Sequence, residues 1–222
     1  MPNLATRARL PHALLLVPTY LAVFHFVLRV LGSRLFPGEN LLDAGPHAFV
    51  LFGVDIVFEV VLVLGLGLFW LGGIGPRDIG WRFEAWRAEV ARGALGFAAA
   101  SVIILGFAVV AGDSVAEIGH ELVAFTLRQR LFFVGIGVMA AVTEESVYRG
   151  YLQPALVARL GLTVGVLVTA LIFAAAHLRF TPLALLGKLA VGLVFGVQRG
   201  RDRSLLAPAV THLLIWSFWG TV

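Results

Sequence analysis

The chain is predicted to be an all-α, polytopic membrane helical bundle of about seven transmembrane helices. Three observations carry that prediction. Its 222 residues are 59% hydrophobic and only 14% charged, where a soluble domain is about a quarter charged, and the mean hydropathy is +0.94. Apolar runs of membrane-crossing length recur from end to end, and in lipid such runs satisfy their own backbone only as helices. The short alternating segments of a membrane β-barrel are absent.

Taken in order, the spans fall at about residues 10–30, 48–72, 91–111, 131–150, 162–178, 183–198 and 205–221. The first follows Arg7 and Arg9 as a signal peptide would. Its apolar run is long for an h-region and no A-x-A site follows, so it reads as a retained span. Pro37 and Pro46 punctuate the first loop. The second loop mixes charge with Trp81, Phe83 and Trp86, and its latter part suits an amphipathic helix at the membrane interface. The third loop carries Asp113, Glu117 and Glu121. The fifth and sixth spans are short for a hydrocarbon core of ~30 Å, which calls for tilt, a kink or a partial crossing. The arginines between spans are densest in the loops on the N-terminal side, around residues 77–92 and 199–203, which orients the chain with its N-terminus inside and its C-terminus outside.

There is no cysteine, which excludes disulfides, thiol catalysis and thiolate-bound metals. The net charge of +4 is almost all arginine between apolar segments. This is a topology signal, and no basic run with interleaved aromatics points to nucleic acid. No repeat or linker divides the chain, so residues 1–222 read as one integral-membrane domain. The chemistry gathers at about 128–219, behind variable spans and loops at 1–127.

The fourth span contains charge. In LFFVGIGVMAAVTEESVYRGYLQPAL, Glu144, Glu145 and Arg149 sit inside an apolar stretch. A charge at the centre of a membrane helix costs about 2.5–3.5 kcal/mol on insertion scales. Such groups persist when they pair, do chemistry, or both. Glu145 and Arg149 are four residues apart and share a helix face, as do Glu144 and Tyr148. A division of labour follows: Arg149 neutralises Glu145, and Glu144 is left to act on something else. The plainer alternative is a Glu–Arg clasp between helices.

His177 ends the fifth span, one turn after Phe173 and behind three alanines that admit close helix contact. His212 lies in the last span, one turn after Pro208 and one before Trp216. Either histidine alone is more often a hydrogen-bonded packing residue than a ligand. Together, the acids and imidazoles are what a hydrolytic site needs. A glutamate in a dry pocket serves as general base on water, and histidines orient the water, stabilise an oxyanion or bind zinc. Glu144, His177 and His212 would supply the three protein ligands common at a catalytic Zn2+.

In this order and spacing, Glu144-Glu145-x-x-x-Arg149-Gly150, Phe173-x-x-x-His177 and a late His212 resemble the CPBP family of CAAX prenyl endopeptidases and bacteriocin-processing (Abi) enzymes. The likeness covers about residues 128–219. It implies an intramembrane endopeptidase acting on a membrane-associated or lipidated peptide, multi-pass in a prokaryotic inner membrane. Glu144 would activate water, His177 and His212 would complete the site, and Glu145 and Arg149 would be secondary or structural. The resemblance leaves open whether the chemistry needs a metal. One departure stands out. The family's last motif usually reads His-x-x-x-Asn, and here Trp216 takes the asparagine position, with Ser217 beside it as a possible replacement donor.

Two further features were weighed. His120-Glu121 begins like the zinc-protease H-E-x-x-H motif, but Ala124 stands where the second ligand belongs, in what reads as a loop. Asp55 and Glu59 form an acidic i, i+4 pair inside the second span, which could be a functional proton site but reads more readily as a structural pair, either a buried partner for Lys188 or Arg149 on another helix or an acid near the interface. Beside the protease, two other functions fit the composition: a non-catalytic scaffold or binding module, favoured by Trp216, and an ion-coupled transporter using Asp55, Glu59, Glu144 and Lys188. Against the transporter, the paired broken helices and repeated halves common in that class are missing.

Overall fold

The computed structural model describes residues 10–38, 43–178 and 181–220. Every helix and strand assignment among them is helical. The order is α1 (Leu10–His25), α2 (Gly32–Leu35), α3 (Pro46–Val57), α4 (Pro76–Ile79), α5 (Trp86–Ala111), α6 (Val115–Ala124), α7 (Leu127–Glu144), α8 (Gln153–Leu160), α9 (Leu162–Ala176), α10 (Pro182–Asp202) and α11 (Leu206–Trp219). Three wider π-helical stretches interrupt this order at Phe26–Leu31, Phe58–Leu71 and Glu145–Leu152.

Each of the expected spans falls on one of these helices. Four continuous helices are long and apolar enough to cross a bilayer: Pro46–Leu71, Trp86–Ala111, Leu127–Leu160 and Pro182–Arg201. Leu10–Val23, Leu162–Ala176 and Leu206–Trp219 are apolar but shorter. Outward-facing apolar residues such as Leu95, Val102 and Val110 on α5 suit lipid contact. Arg7 and Arg9, which precede the first span, lie outside the described residues.

Helix boundaries follow local chemistry. Pro46 and Pro76 open α3 and α4, where a missing N–H costs nothing. Ser114 caps α6 by accepting from Glu117 N while the Glu117 carboxylate accepts from Ser114 N. The Ser114 hydroxyl and backbone N–H beside it hold the Glu117 carboxyl below the usual carboxylate range. Thr126 caps α7 in the same way with Gln129.

Two loop expectations are corrected. The latter part of the second loop is not a separate interfacial helix. From Trp86 onward it is the start of α5, because no breaker separates Trp86 from the apolar run behind it. The third loop is largely the short helix α6, so His120 and Glu121 lie on a helix, exposed, with Ala124 still in place of a ligand.

The bundle is centred on α11, which packs against α5 and α7, while α10 joins α5 to α9. Gly96 makes one of these contacts possible. A Cβ there would stand 2.2 Å from Gln198 Nε2 and 2.5 Å from Thr211 Oγ1. The space holds a polar cross-tie: Thr211 Oγ1 donates to the Gly93 carbonyl at 2.9 Å, and Gln198 Nε2 to the Arg92 carbonyl at 3.0 Å. Gly137 does the same for α7 and α11, since an added Cβ would lie 2.9 Å from the Leu213 carbonyl oxygen. Trp219 Nε1 donates to Ser101 Oγ at 2.9 Å and ties the end of α11 to α5.

Candidate active site

The site is built on the π-helical stretch Glu145–Leu152, of which every residue is buried. It is enclosed by α1, α4, α9, α10 and the π-helical part of the second span. Such wider turns recur at functional sites. Pro154 lies two residues beyond, lacks an N–H and crowds a carbonyl four residues back in α-register. The i to i+5 register ahead of it, closed by Gln153 N bonding to the Tyr148 carbonyl, relieves that conflict.

Buried cross-ties fix the stretch. Arg199 reaches in from α10, with Nε donating to the Arg149 carbonyl at 3.0 Å and Nη2 to the Ile79 carbonyl at 3.0 Å. Gln153 Nε2 donates to the Gly196 carbonyl at 2.9 Å. Trp81 in the second loop donates its Nε1 to Ser146 Oγ at 2.9 Å. The second loop therefore folds back against the site.

Glu145 is 0% exposed and receives two partners on one oxygen. Its Oε1 lies 2.9 Å from His212 Nδ1 and 3.5 Å from Arg149 Nη1. Arg149 Nη2 continues to the Gly192 carbonyl at 3.3 Å. The Arg149 guanidinium carbon sits 4.1 Å from the Phe173 ring centroid and 4.9 Å from that of Phe195, so two aromatic faces compensate its lost hydration. Phe195 also stacks on His212, with centroids 4.9 Å apart.

Glu144 differs from its neighbour. It is only partly buried, and its Oε1 accepts from the Tyr20 hydroxyl of α1 at 3.2 Å. The expected pairing of Arg149 with Glu145 is thus present, and His212 joins it. Glu144 is kept out of the clasp but has a phenol as partner.

His177 caps the end of α9. Its Nδ1 lies 2.8 Å from the Phe173 carbonyl. A carbonyl only accepts, so Nδ1 carries the proton and, in the neutral ring, Nε2 keeps its lone pair. Both imidazoles pack on Phe173, with centroids 4.7 Å away for His177 and 6.2 Å for His212. Phe173 is the element that brings the two histidines to one region.

Among the described residues no three His, Cys, Asp or Glu side chains make a group that could hold a metal ion. His212 Nδ1 is turned to Glu145, His177 Nδ1 to a backbone carbonyl, and Glu144 Oε1 to Tyr20, which leaves Nε2 of each ring and Oε2 of Glu144 as the atoms open to another partner. Ser217 is no replacement for the missing asparagine either. Its hydroxyl donates to the Leu213 carbonyl of its own helix at 2.7 Å. Trp216 is half-buried, its Cβ set against Gly137.

The pairing expected for Asp55 and Glu59 is also corrected. Both are 0% exposed, and none of their four carboxylate oxygens has a hydrogen-bond partner among the described residues. Arg149 is engaged by Glu145 and Gly192.

Sequence reasoning missed Tyr20, Phe195, and Trp81 as a partner of Ser146. Tyr20 had a signal, a lone phenol in an apolar run two residues after Pro18. Phe195 had none, because one phenylalanine in an apolar helix looks like any other.

Neither the curated proteins nor the solved structures yield a match to the chain. Residues 126–218, which carry the two glutamates, Arg149 and both histidines, match the family described as Type II CAAX prenyl endopeptidase Rce1-like, the same family of membrane proteases that the motifs of the sequence resemble.

Proposed function

We propose that the protein is an intramembrane endopeptidase that hydrolyses a peptide bond in a membrane-associated or lipidated substrate, with Glu144 as the base that activates water. The observation that carries this is the unequal treatment of two adjacent carboxylates. Glu145 is sealed between Arg149 and His212, while Glu144 is partly exposed and keeps Oε2 for another partner.

In the proposed reaction a water bound at Glu144 Oε2 attacks the scissile carbonyl and gives its proton to the carboxylate. The C–N bond then breaks, and Glu144 passes that proton to the leaving amine. Tyr20 holds Glu144 in place. Glu145 and Arg149 act by positioning His212, which as an imidazolium gives Nδ1–H to Glu145 and has a second N–H, at Nε2, to donate to the developing oxyanion. His177, with Nδ1 donating to Phe173, offers Nε2 as an acceptor that orients the water. No metal is needed by these steps. The proposed setting is a prokaryotic inner membrane.

The test is cleavage of a membrane-anchored fluorogenic peptide, with and without a prenylated C-terminal cysteine, by the full-length protein in lipid nanodiscs. Glu144→Gln is expected to lower turnover by roughly 10²–10⁴-fold, the usual worth of a positioned general base. Equal turnover by the variant and the wild type would reject Glu144 as the base. A non-catalytic scaffold is the second reading, favoured by the fully engaged Glu145–Arg149–His212 clasp. It requires that no peptide of the panel be cut.

A further inference from the structure

Tyr148 carries a donor that the proposed reaction has not used. The residue is 1% exposed, and its hydroxyl has no hydrogen-bond partner among the described residues. A buried phenol normally finds one. A buried donor left unmade lowers stability, and such a group in a folded protein calls for a reason.

Its position supplies one. Tyr148 lies one helical turn after Glu144, a spacing that puts the two side chains on one face. Its ring stands edge-on to Tyr20, with centroids 6.2 Å apart, and edge-on to Phe173, at 5.4 Å. Tyr20 holds Glu144 through its hydroxyl. Phe173 carries both imidazoles. The phenol is thus wedged between the partner of the base and the ring on which His177 and His212 rest. Two other atoms of the same stretch lack partners, and they are less suited to donate. Glu145 Oε2 only accepts, and Arg149 Nε belongs to a guanidinium that Phe173 and Phe195 cover. The end of α11 does not fill the need, because the Ser217 hydroxyl is spent on the Leu213 carbonyl.

We propose that the Tyr148 hydroxyl donates a hydrogen bond to the oxyanion that forms when water attacks the scissile carbonyl, beside the N–H of His212. This rests on the reading of Glu144 as base. As the water oxygen bonds to the carbonyl carbon, the π electron pair of C=O moves onto the carbonyl oxygen, and the phenol O–H turns to it. No proton leaves Tyr148. When the C–N bond breaks, the carbonyl re-forms and the hydroxyl is again without a partner. The bond missing in the resting protein is the one kept for the transition state.

The experiment uses the full-length protein in nanodiscs and the fluorogenic peptide above. Tyr148→Phe keeps the ring. It is expected to lower kcat by roughly 10²-fold, the lower end for one oxyanion donor, at unchanged KM, while melting at or above the wild-type midpoint. Tyr151→Phe is the control, because its phenol has a partner, His12 Nδ1 at 2.8 Å. It is expected to lower the midpoint and keep kcat near the wild-type value. A phosphinate isostere of the peptide, which presents a tetrahedral anion, is expected to bind Tyr148→Phe more weakly by the factor lost in kcat. Wild-type kcat or undiminished phosphinate binding in Tyr148→Phe overturns the donor, as does an equal loss of kcat in Tyr151→Phe. A Tyr148→Phe that does not fold overturns it too, since the hydroxyl would then serve the structure. Should any of these come with an inactive Glu144→Gln, the base survives without the donor. Full turnover by Glu144→Gln beside a slow Tyr148→Phe removes the base and leaves the donor.

Discussion

His212 Nδ1 lies 2.9 Å from Oε1 of Glu145, a contact across 67 residues of chain that joins the last helix to the π-helical stretch. Arg149 meets the same oxygen at 3.5 Å. Removing one member of a fully buried ionic group is far worse than removing the group, because it strands a charge. Glu145→Gln is therefore expected to destabilise the protein by about 3–5 kcal/mol, read as a lower thermal midpoint in detergent. Pairing it with Arg149→Met is expected to return part of that loss, and a double-mutant cycle measures the coupling.

Trp216 stands where the resembling family carries asparagine, and Ser217 spends its hydroxyl within its own helix. Trp216→Asn is expected to raise kcat on a cleavable peptide, with an upper bound of roughly 10²–10³-fold, the usual worth of one oxyanion donor. Losing the half-buried indole is expected to lower the thermal midpoint at the same time. Steady-state kinetics and a melting curve on one preparation check both.

Gly96 sets the approach of α5 to α10 and α11. Gly96→Ala places a methyl within 2.2 Å of Gln198 Nε2 and 2.5 Å of Thr211 Oγ1. It is expected to cost about 1–3 kcal/mol through overpacking, measured by thermal unfolding. The same change at Gly106, which has nothing within 4 Å, is the control and is expected to leave the midpoint unchanged or slightly higher.

Trp81 connects the second loop to the site through Ser146 Oγ. Trp81→Phe removes the N–H and keeps most of the ring. A net loss of about 0.5–1.5 kcal/mol is expected, together with faster amide exchange in residues 76–84, which hydrogen-exchange mass spectrometry resolves.

The bundle was legible because its cause is local. A bilayer demands long apolar runs, and these can be read one residue after another. The pairing of Glu145 with Arg149 was legible for the same reason, being set by helical spacing. Three features were not. Trp86 looked like an interfacial anchor because its aromatic, charged neighbourhood resembles one, yet nothing in the sequence stops α5 from beginning there. His212 was expected to face Glu144 or a metal, and which of two adjacent carboxylates it meets depends on the rotation of α11 against the π-helical stretch. Asp55 and Glu59 were expected to find Lys188 or Arg149, a guess from charge alone. The fold instead gives Arg149 to Glu145, and the second acidic pair is left to itself.

The most direct test compares Glu144→Gln with Glu145→Gln for both peptide cleavage and thermal stability in the same lipid. A division of labour between the two neighbours requires Glu144→Gln to melt near the wild type with cleavage nearly abolished, and Glu145→Gln to melt well below it. A stable, fully active Glu144→Gln, or a Glu145→Gln that loses cleavage without losing stability, would contradict it.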